Sequence, residues 1–452
     1  MARRLATPLQ PREFPTTGFE VIDPADKVEE EQLPSYQPTA YYPMRIGEVV
    51  RNRYQVVAKL GYGVTSTVWL ARDLRDGTYW TLKVHINTLE HNQELVIFRH
   101  LIDYAATLRA SAAKSANRST EGNEYLGRDY VRTLHDSFRL TGPHGEHDVF
   151  VLTPLGMSVR TLQETQKSGV FPQTFVTGAI DQLLLGLVYL HEADVVHTDI
   201  HSDNLLISLV DNSILAAIEE DEMKTPVARK RVDDDSFVYV SRYMLGGKGH
   251  LVICDFGQAR IGGRHTASAM PVPYRAPEIL LHLPWGHAVD MWSVGLLASY
   301  FSSAFSFSAS FSSFLTERCP LTVLQAWDLL ERESLFRVYD ADSEATNTAH
   351  HLAAMTALLG PPPPEFLSKS PETEKYWDAE GRWHGPVPLP PSRNFASRIT
   401  TLTGDDKENC VFFLECCLSW LPEERLPPLK AYVLPWLRGG TMEDCLARMG
   451  LS

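Results

Sequence analysis

The sequence predicts an α+β chain of two lobes, a small β-rich lobe followed by a larger helical one. Runs of β-branched and aromatic residues follow Arg53, separated by turn residues, and this pattern is typical of antiparallel strands. Farther along, from Phe175 to His191, apolar residues recur at helical spacing. Beyond this helix lie two polar segments bounded by apolar runs, VVHTDIHSDNLL and CDFG. They indicate loops that project polar side chains from a buried frame.

The composition is that of a globular chain with an acidic net charge. Of the 452 residues, 44% are hydrophobic and 22% are charged, and this length has room for one large two-lobed domain or for two to three ordinary ones. The net charge of −14 argues against direct binding of nucleic acid and favours basic partners, although ordinary solubility charge is the alternative. Six cysteines show no C-x-x-C spacing, so we expect a reducing compartment and no zinc ribbon. The N-terminus lacks the apolar core of a signal peptide, and we expect no membrane association.

Composition and pattern divide the chain into an arm, two lobes and a tail. The predicted boundaries are residues 1–44 for an N-terminal arm, 45–155 for the first lobe, 156–438 for the second lobe and 439–452 for a C-terminal tail. Within the second lobe, residues 207–250 contain acidic and basic runs and are predicted to form a solvated spacer loop. The basic run Arg229-Lys230-Arg231 leaves a nuclear-entry signal open as an alternative.

A glycine-rich turn joins the first two predicted strands, at Gly61-Tyr62-Gly63-Val64-Thr65-Ser66. Glycines allow the tip of a hairpin to bring its backbone N–H groups onto phosphates. A plain hairpin turn is the alternative, but Lys83 on the following strand favours phosphate binding. The partner expected for Lys83 is a helix glutamate, and Glu94 fits, with Glu90 as the fallback. A surface ion pair is the alternative for this lysine.

Three polar residues supply the groups that phosphoryl transfer requires. Asp199 and Asn204 lie five residues apart in the first polar segment, and Asp255 follows an apolar strand. Transfer to a hydroxyl needs a carboxylate that accepts the hydroxyl proton and oxygens that hold magnesium on the phosphates. His197 and His201 lie four residues apart, which leaves zinc as an alternative, but zinc pairs at this spacing lie on helices rather than loops.

Together these motifs resemble those of the protein kinase family. H-x-D-x-x-x-x-N is followed by Asp-Phe-Gly at 255–257 and by Ala-Pro-Glu at 276–278, in the family's order. The resemblance implies a bilobal kinase fold that uses ATP and Mg²⁺. The Ala-Pro-Glu block disfavours a small-molecule kinase. The resemblance also implies that Glu278 pairs with Arg425 and that Asp290 anchors the catalytic segment.

The resemblance further implies a role for each matching residue. The implied catalytic residues are Asp199, Lys83, Asn204 and His201, and the implied metal ligands are Asn204 and Asp255. The implied nucleotide contacts are Leu60, Gly61, Tyr62, Gly63, Ser66, Val68, Lys83, Glu94, Leu152, Thr153, Leu155 and Asp255. Leu152 would lie at the back of the adenine pocket, with the Thr153 carbonyl and the Leu155 N–H bonded to the adenine edge.

The catalytic segment departs from the general family pattern at two positions. Thr198 stands where many kinases have arginine, and without that cation we expect no control by phosphorylation of the activation segment. His201 stands where a lysine usually contacts the transferred phosphoryl group, and an imidazole with the reference pKa of about 6.5 is mostly uncharged at neutral pH. An active enzyme therefore has an alternative, a nucleotide-binding pseudokinase or scaffold with little phosphotransfer.

Further blocks narrow the resemblance. They are LGYGVTSTVWLARD, the HTD of the catalytic segment, HLAAMTALLGPPPPEFL and SWLPEERLPP. Together they resemble the SR-protein kinases, in particular the compact fungal type, over about residues 40–438. This implies a monomer of cytoplasm and nucleus that phosphorylates serine in basic, arginine/serine-rich splicing proteins. Asp340, Asp342 and Glu344 lie where that group docks basic substrates, with a solvated acidic loop as the alternative.

One stretch fits neither lobe. Residues 298–325 are rich in serine and phenylalanine and interrupt a continuous helical pattern, WSVGLL followed by AWDLLERESLF. Our hypothesis is that this stretch is a translated intron. GT and AG boundaries in the nucleotide sequence would support it, and their absence would remove it.

Overall fold

The computed structural model describes residues 8–114, 126–166, 171–233, 236–297 and 335–441, together with residues 443, 444 and 447. Its chain divides into two compact units. The first unit comprises Met1–Asn92, Arg132–Met157 and Ile207–His250, and the second comprises Gln93–Val131, Ser158–Leu206 and Leu251–Ser452. The first is built on a β-sheet and the second mainly on helices, so the predicted α+β class is confirmed.

The described residues form short strands and helices of very different length. The strands are β1 (Val21–Ile22), β2 (Val49–Val50), β3 (Tyr54–Gly63), β4 (Ser66–Asp73), β5 (Tyr79–His85), β6 (Leu134–Gly142), β7 (Gly145–Leu152), β8 (Leu155–Ser158), β9 (Val195–Val196), β10 (Leu205–Ser208), β11 (Arg229–Arg231), β12 (Phe237–Tyr239), β13 (Leu251–Ile253) and β14 (Arg260–Ile261). The helices are α1 (Gln93–Lys114), α2 (Val159–Thr165), α3 (Gln173–Glu192), α4 (Ser213–Lys224), α5 (Pro277–Leu280), α6 (Ala288–Leu296), α7 (Glu344–Leu359), α8 (Pro364–Leu367), α9 (Phe395–Arg398), α10 (Gly404–Cys417), α11 (Pro428–Tyr432) and α12 (Pro435–Arg438).

A six-stranded antiparallel sheet forms the frame of the first unit, in the order β2-β3-β4-β5-β7-β6. Both faces of its central strands are covered, which explains why every residue of β3 and β4 is buried or half-buried, the polar ones included. On one face, Trp69 and Val84 pack in a core that includes Tyr239 of β12. On the other face, Leu70 packs against Leu215 of α4. Neighbouring residues of β4 thus pack in two separate hydrophobic cores.

Residues 207–250 are not the solvated loop that the sequence predicted. They form α4, β11 and β12, and α4 has an inward face with helical spacing. Its buried residues are Leu215, Ile218, Glu219 and Glu222. The Glu222 carboxylate pairs with Arg242 (2.8 Å) and Arg229 (3.4 Å). Burial raises the pKa of Glu222 above its usual range, against the opposing effect of the hydrogen bond from Arg242. The prediction failed because a run of charges does not show whether its members face water or pair inside the protein, as Glu222 does with Arg229 and Arg242.

The basic run Arg229-Lys230-Arg231 is part of this structure. Arg229 and Lys230 are buried, with 6% and 8% exposed. The Arg229 guanidinium lies 3.8 Å from the centre of the Phe19 ring, and Lys230 Nζ pairs with Glu31 at 2.9 Å. A nuclear-entry signal requires accessible basic side chains, so the burial of two of the three argues against that alternative.

The N-terminal arm packs on the first unit along its described length. Its strand β1 pairs in parallel with β11. Lys59 of β3 has a fully buried side chain, and it pairs with Glu30 and, at 3.7 Å, with Glu29 of the arm. It also donates to the Tyr239 carbonyl at 3.1 Å. A buried ammonium without carboxylate partners would be very costly, so these ion pairs anchor the arm.

Two buried helices organise the second unit. Every residue of α6 from Val289 to Leu296 is buried. By length and composition α3 could cross a membrane, yet 61% of its most apolar window is buried inside the protein. That burial is typical of the core helix of a globular domain.

The two units differ from the predicted lobes in two places. Helix α1, predicted within residues 45–155, belongs to the second unit, and residues 207–250, predicted within the second lobe, belong to the first. Position along the chain does not reveal which core a segment packs on. The predicted insertion at residues 298–325 lies outside the described residues, as does much of the predicted tail at 439–452.

Candidate active site

Asp290 fixes the backbone of the catalytic segment. It lies in the first turn of α6 and is completely buried. Its carboxylate accepts hydrogen bonds from the N–H groups of His197 (2.9 Å) and Thr198 (2.8 Å). It also accepts one from His191 Nε2 at 2.9 Å. Burial alone would raise the pKa of Asp290, but these donors hold it below its usual range. The predicted anchoring role of Asp290 is confirmed.

Hydrogen bonds join the catalytic segment to the residues around Asp255. The Cys254 N–H donates to the Asn204 carbonyl at 2.8 Å. The Thr198 hydroxyl donates to the Gln258 carbonyl at 2.9 Å. Thr198 stands where many kinases have arginine, and its uncharged hydroxyl forms a hydrogen bond with the start of the activation segment. Asn204 and Asp255, distant in sequence, are brought to adjoining stretches of backbone.

Asn204 contacts Asp199 directly. Its Nδ2 donates to the Asp199 carbonyl at 2.9 Å and lies 3.2 Å from Asp199 Oδ2. Asn204 is almost buried, with 9% exposed. Because its amide nitrogen is committed to Asp199, the amide oxygen is the atom of Asn204 suited to a cation.

His201 lies between two carboxylates. Its Nε2 is 3.5 Å from Asp199 Oδ1, and its Nδ1 is 3.6 Å from Asp203 Oδ2. Burial lowers the pKa of His201, but the two carboxylates outweigh it and raise the pKa to about 9. The two carboxylates thus favour the charged form of the ring. The Asp203 N–H (3.3 Å) and Asn204 Nδ2 (3.0 Å) also lie against its Nδ1 and Nε2. The expectation of a mostly uncharged His201 used the reference pKa and left out the two carboxylates, which shift that pKa upward.

The two histidines of the catalytic segment do not form a zinc pair. His197 is completely buried, and its Nε2 donates to the Cys254 carbonyl at 3.1 Å. Its ring packs edge-on against Phe256 at 5.4 Å. Among the residues that the structure describes, no group of three or more His, Cys, Asp or Glu side chains could hold a metal ion. The zinc alternative has no support, and His197 is a packed structural residue, as expected.

Asp255 lies where the chain turns after β13. Its backbone has φ 64°, a left-handed conformation that non-glycine residues adopt rarely. Its Oδ1 accepts the Gly257 N–H at 3.1 Å, which stabilises the turn. Asp255 is exposed, whereas Phe256 is completely buried and packs edge-on against Phe98 of α1 at 5.4 Å. The turn thus buries the aromatic ring of Phe256 and leaves Asp255 exposed.

The predicted pair of Glu278 and Arg425 is confirmed. Two parallel bonds join the side chains, Nη1 to Oε1 at 2.6 Å and Nη2 to Oε2 at 2.7 Å. Arg425 also donates to the carbonyls of Ser419 and Ala288. The side chains are 0% and 1% exposed. This pair fixes the end of the activation segment to the helical core.

In the first unit, the glycine-rich turn is the tip of the β3–β4 hairpin. Gly61 is in register with Val68 and Gly63 with Ser66, so the turn itself has two residues. A Cβ added at Gly61 or Gly63 would meet nothing within 4 Å. The backbone of both glycines is therefore open on that side, which suits the close approach of a phosphate.

The other predicted contacts on this hairpin lie in different surroundings. Ser66 is buried and Val68 half-buried on β4. Leu60 packs partly against the core between the sheet and α4. The Tyr62 ring lies 5.2 Å from the buried ammonium of Lys59.

Lys83 and Glu94 lie in different units of the chain. Lys83 is half-buried on β5, in register with Val68 and Phe150. Glu94 is the second residue of α1 and is buried, with 4% exposed. Glu90, the fallback, is exposed and precedes the helix. Of the two glutamates, Glu94 is the one on a helix.

The predicted adenine contacts lie where β7 ends and β8 begins. Leu152 ends β7 and Leu155 begins β8, and both are buried. Thr153 is exposed, and its carbonyl accepts a hydrogen bond from Arg132 Nη2 at 3.2 Å. Sequence reasoning missed Arg132, which no motif marks.

Comparison with known proteins decides the family. Residues 54–437 match the model of the protein kinase domain. The chain belongs to the protein kinase family. A serine/threonine protein kinase of Aspergillus fumigatus is 35% identical over 95% of this chain and 96% of its own length. The serine/threonine-protein kinase SRPK of Physarum polycephalum is 27% identical over 78% of each chain. A solved kinase domain covers 89% of this chain and 100% of its own, with a TM-score of 0.57 and 19% identity, which confirms the kinase fold.

The residues of this serine/threonine kinase fit the nucleotide and divalent cation that its family uses. Asp255 offers an exposed carboxylate and Asn204 an amide oxygen, and hard divalent cations prefer such oxygen ligands. The open glycine turn suits a phosphate chain. The donor set is therefore consistent with both groups.

Sequence reasoning missed two residues that set the charge of this kinase's catalytic segment. Asp203 flanks His201, and Arg160 pairs with Asp203 at 3.1 Å. Burial alone would raise the pKa of Asp203, but His201 and Arg160 hold it below its usual range. The spacing of Asp199 and Asp203, two residues on either side of His201, is the signal that could have revealed the charged histidine. No local signal marks Arg160.

Proposed function

We propose that this kinase is catalytically active and phosphorylates serine in basic, arginine/serine-rich proteins, with ATP as donor and Mg²⁺ as the metal. One observation supports activity above the rest: Asp199 contacts both Asn204 and His201, whose pKa is raised by Asp199 and Asp203. These residues lie in a segment whose backbone Asp290 fixes. The pseudokinase alternative was based on His201 and on the serine-rich stretch at residues 298–325. The raised pKa of His201 weakens the first argument, and the second falls on residues outside those that the structure describes.

In the proposed reaction, the serine hydroxyl oxygen forms a bond to the γ-phosphorus of ATP. The bond from that phosphorus to the β–γ bridging oxygen breaks, and ADP leaves with the electron pair. The hydroxyl proton goes to the carboxylate of Asp199. Asn204 lies beside one oxygen of this carboxylate (3.2 Å) and His201 beside the other (3.5 Å), so its orientation is fixed, as a general base requires.

Asn204 and Asp255 are the residues proposed to hold Mg²⁺. The hydrogen bond from the Cys254 N–H to the Asn204 carbonyl supports this, because it keeps their backbones side by side. When bound, Mg²⁺ neutralises charge on the phosphates. In its charged form, which the neighbouring carboxylates favour, His201 would supply a further positive charge, the property that the family's lysine would bring.

The nucleotide-binding roles stay as the sequence predicted them. We assign Lys83 to the α- and β-phosphates, with Glu94 as the partner that the family resemblance implies, and the Thr153 carbonyl and Leu155 N–H to the adenine edge. The bond from Arg132 to the Thr153 carbonyl is compatible with this, because a carbonyl oxygen can accept two hydrogen bonds.

The substrate proposal is supported by charge and by the SRPK relative described above. A net charge of −14 favours basic substrates. Of the three predicted docking acids, Glu344 pairs with Arg275 at 2.7 Å. Asp340 caps the turn before α7 by accepting the N–H groups of Asp342 (2.9 Å) and Ser343 (3.0 Å). Glu344 is therefore partly neutralised, and the exposed Asp342 is the better docking candidate.

Phosphate transfer to matched peptides tests the substrate class. Purified protein should phosphorylate an Arg-Ser repeat well, a Lys-Ser repeat of equal length more slowly, and an Ala-Ser repeat hardly at all. The same assay on a variant without residues 298–325 separates the effect of that stretch from the chemistry. Equal rates on all three peptides would refute the substrate class, and ATP binding without transfer in either protein would favour the scaffold.

The remaining expectations are part of the same proposal. We propose a monomer of cytoplasm and nucleus that binds neither nucleic acid nor membrane directly. Sedimentation at micromolar concentration and imaging of the tagged protein would test these points.

A further inference from the structure

The N-terminal arm contacts the tip of the glycine-rich hairpin through the side chain of Tyr41. The Tyr41 hydroxyl lies 3.1 Å from the Gly63 carbonyl and 3.0 Å from the Val64 carbonyl, at the tip of the β3–β4 hairpin. Burial raises the pKa of Tyr41 to about 12, so the hydroxyl keeps its proton at any ordinary pH. Tyr41 is thus a permanent donor to the turn that the sequence assigns to phosphate binding.

The hairpin tip has little packing of its own. Val64 is 55% exposed, and an added Cβ at Gly61 or Gly63 would meet nothing within 4 Å. The β3–β4 register also shifts between Lys59 and Gly61, just before the turn. A glycine hairpin with so few side-chain contacts depends on hydrogen bonds for its position.

Those hydrogen bonds occupy the carbonyls of the turn. Tyr41 lies within reach of the carbonyls of Gly63 and Val64, and the Ile86 N–H donates to the Thr65 carbonyl at 3.0 Å. Two donors from the same unit thus serve three successive carbonyls, because the single hydroxyl hydrogen of Tyr41 is shared between Gly63 and Val64. Recognition of a phosphate by this turn therefore depends on its N–H groups, as in other anion-binding turns.

The position of Tyr41 is itself well determined. Asn87, just after β5, donates from its side chain to the carbonyls of Thr39 (2.9 Å) and His144 (3.0 Å). Its backbone N–H donates to the Ala40 carbonyl at 3.0 Å. On the arm side, the Tyr41 ring lies 5.2 Å from that of Tyr36. The arm is therefore bound to the sheet immediately before it reaches the hairpin.

We propose that Tyr41 is a positioning residue for the nucleotide: through its hydroxyl, the N-terminal arm holds the glycine-rich turn in the conformation that binds phosphate. This inference rests on the proposed use of that turn for ATP. It gives the arm a role in the reaction, although no residue of the arm belongs to a kinase motif. Loss of the hydroxyl alone should loosen the turn and weaken nucleotide binding while the arm stays in place.

A Tyr41→Phe variant of the full chain tests the proposal, because it removes the hydroxyl and keeps the ring. Tyr36→Phe is the matched control, since the Tyr36 hydroxyl has no hydrogen-bond partner among the described residues. Hydrogen exchange of the amides at residues 63–66, measured without nucleotide, should be several-fold faster in Tyr41→Phe. The Kd for ATP, measured by calorimetry, should rise about 3–10-fold, the range expected for one lost hydrogen bond. The midpoint of thermal unfolding should stay within about 2 °C of wild type.

The outcomes separate this proposal from the proposed function. Exchange and nucleotide affinity need no phosphate acceptor, so they remain informative if no peptide is phosphorylated. Unchanged exchange in Tyr41→Phe would overturn the proposal, as would faster exchange with an unchanged Kd. The same changes in Tyr36→Phe would also overturn it, because they would show a general effect of the arm. Asn87→Ala, which frees the arm beside Tyr41, should change both quantities in the same direction as Tyr41→Phe.

Discussion

Replacing Arg425 with methionine should destabilise the second unit strongly. Methionine fills most of the same volume, but it leaves the carboxylate of Glu278 charged and 1% exposed, without its two bonds at 2.6 and 2.7 Å. Removing one partner of a buried ion pair typically costs about 3–5 kcal/mol. The carbonyls of Ser419 and Ala288 lose a donor as well. We therefore expect a loss at the upper end of that range.

Urea unfolding followed by tryptophan fluorescence measures this loss of stability. Trp292 is a reporter beside the substituted residue, because its ring centre lies 5.0 Å from the Arg425 guanidinium. The control is the double variant Glu278→Leu with Arg425→Met, which leaves no unpaired charge. Apolar replacement of both partners of a buried pair is often close to neutral, so the double variant should recover most of the stability. The reasoning would be refuted if Arg425→Met cost less than about 1 kcal/mol, the usual worth of an exposed pair. It would equally be refuted if the double variant were no more stable than the single one.

Two further predictions concern histidines. His351 is completely buried, its ring nitrogens have no partner among the residues that the structure describes, and burial lowers its pKa to about 3. Because the pKa of His351 is lower in the folded chain than in the unfolded chain, its contribution to stability is fully present above the unfolded pKa of about 6.5. Below that pH, the free energy of unfolding should fall by about 1.4 kcal/mol per pH unit. Urea titrations at pH 7 and pH 5 should show this loss of stability in wild type and a smaller loss in His351→Leu. An equal pH dependence in the two proteins would show that His351 is not its source. His201→Ala should lower kcat on an Arg-Ser peptide roughly 10–100-fold and leave the KM for ATP nearly unchanged. His201→Lys should restore most of the lost kcat. An unchanged kcat in His201→Ala would show that the reaction does not use the charge of this side chain.

The sequence predicted those contacts that lie within a motif or between two motifs. The anchoring of the catalytic segment by Asp290 and the pairing of Glu278 with Arg425 are examples, and both appear in the structure. Few other pairings are possible for such residues, because a buried carboxylate needs a hydrogen-bond donor and the fold fixes the positions of both groups.

The sequence did not predict buried charges whose partners lie far along the chain. Glu219 lies in the segment that the sequence predicts to be a solvated loop, yet it is 2% exposed and pairs with Arg12 at 3.3 Å and Arg72 at 3.4 Å. A run of charges looks the same whether it faces water or arginines from another segment. The helical spacing of Leu215 and Ile218, just before the acidic run, is the available signal for α4.

The most direct test of the central claim compares phosphate transfer by wild type and by an Asp199→Asn variant. Asparagine keeps the size of the side chain and an oxygen that can accept from Asn204 Nδ2, but it cannot take up the hydroxyl proton. Transfer to an Arg-Ser peptide should fall by more than about 100-fold, within the range for loss of a general base, while the Kd for ATP stays within about twofold. Transfer by Asp199→Asn at the wild-type rate would contradict the account, and so would a wild-type protein that binds ATP and transfers nothing.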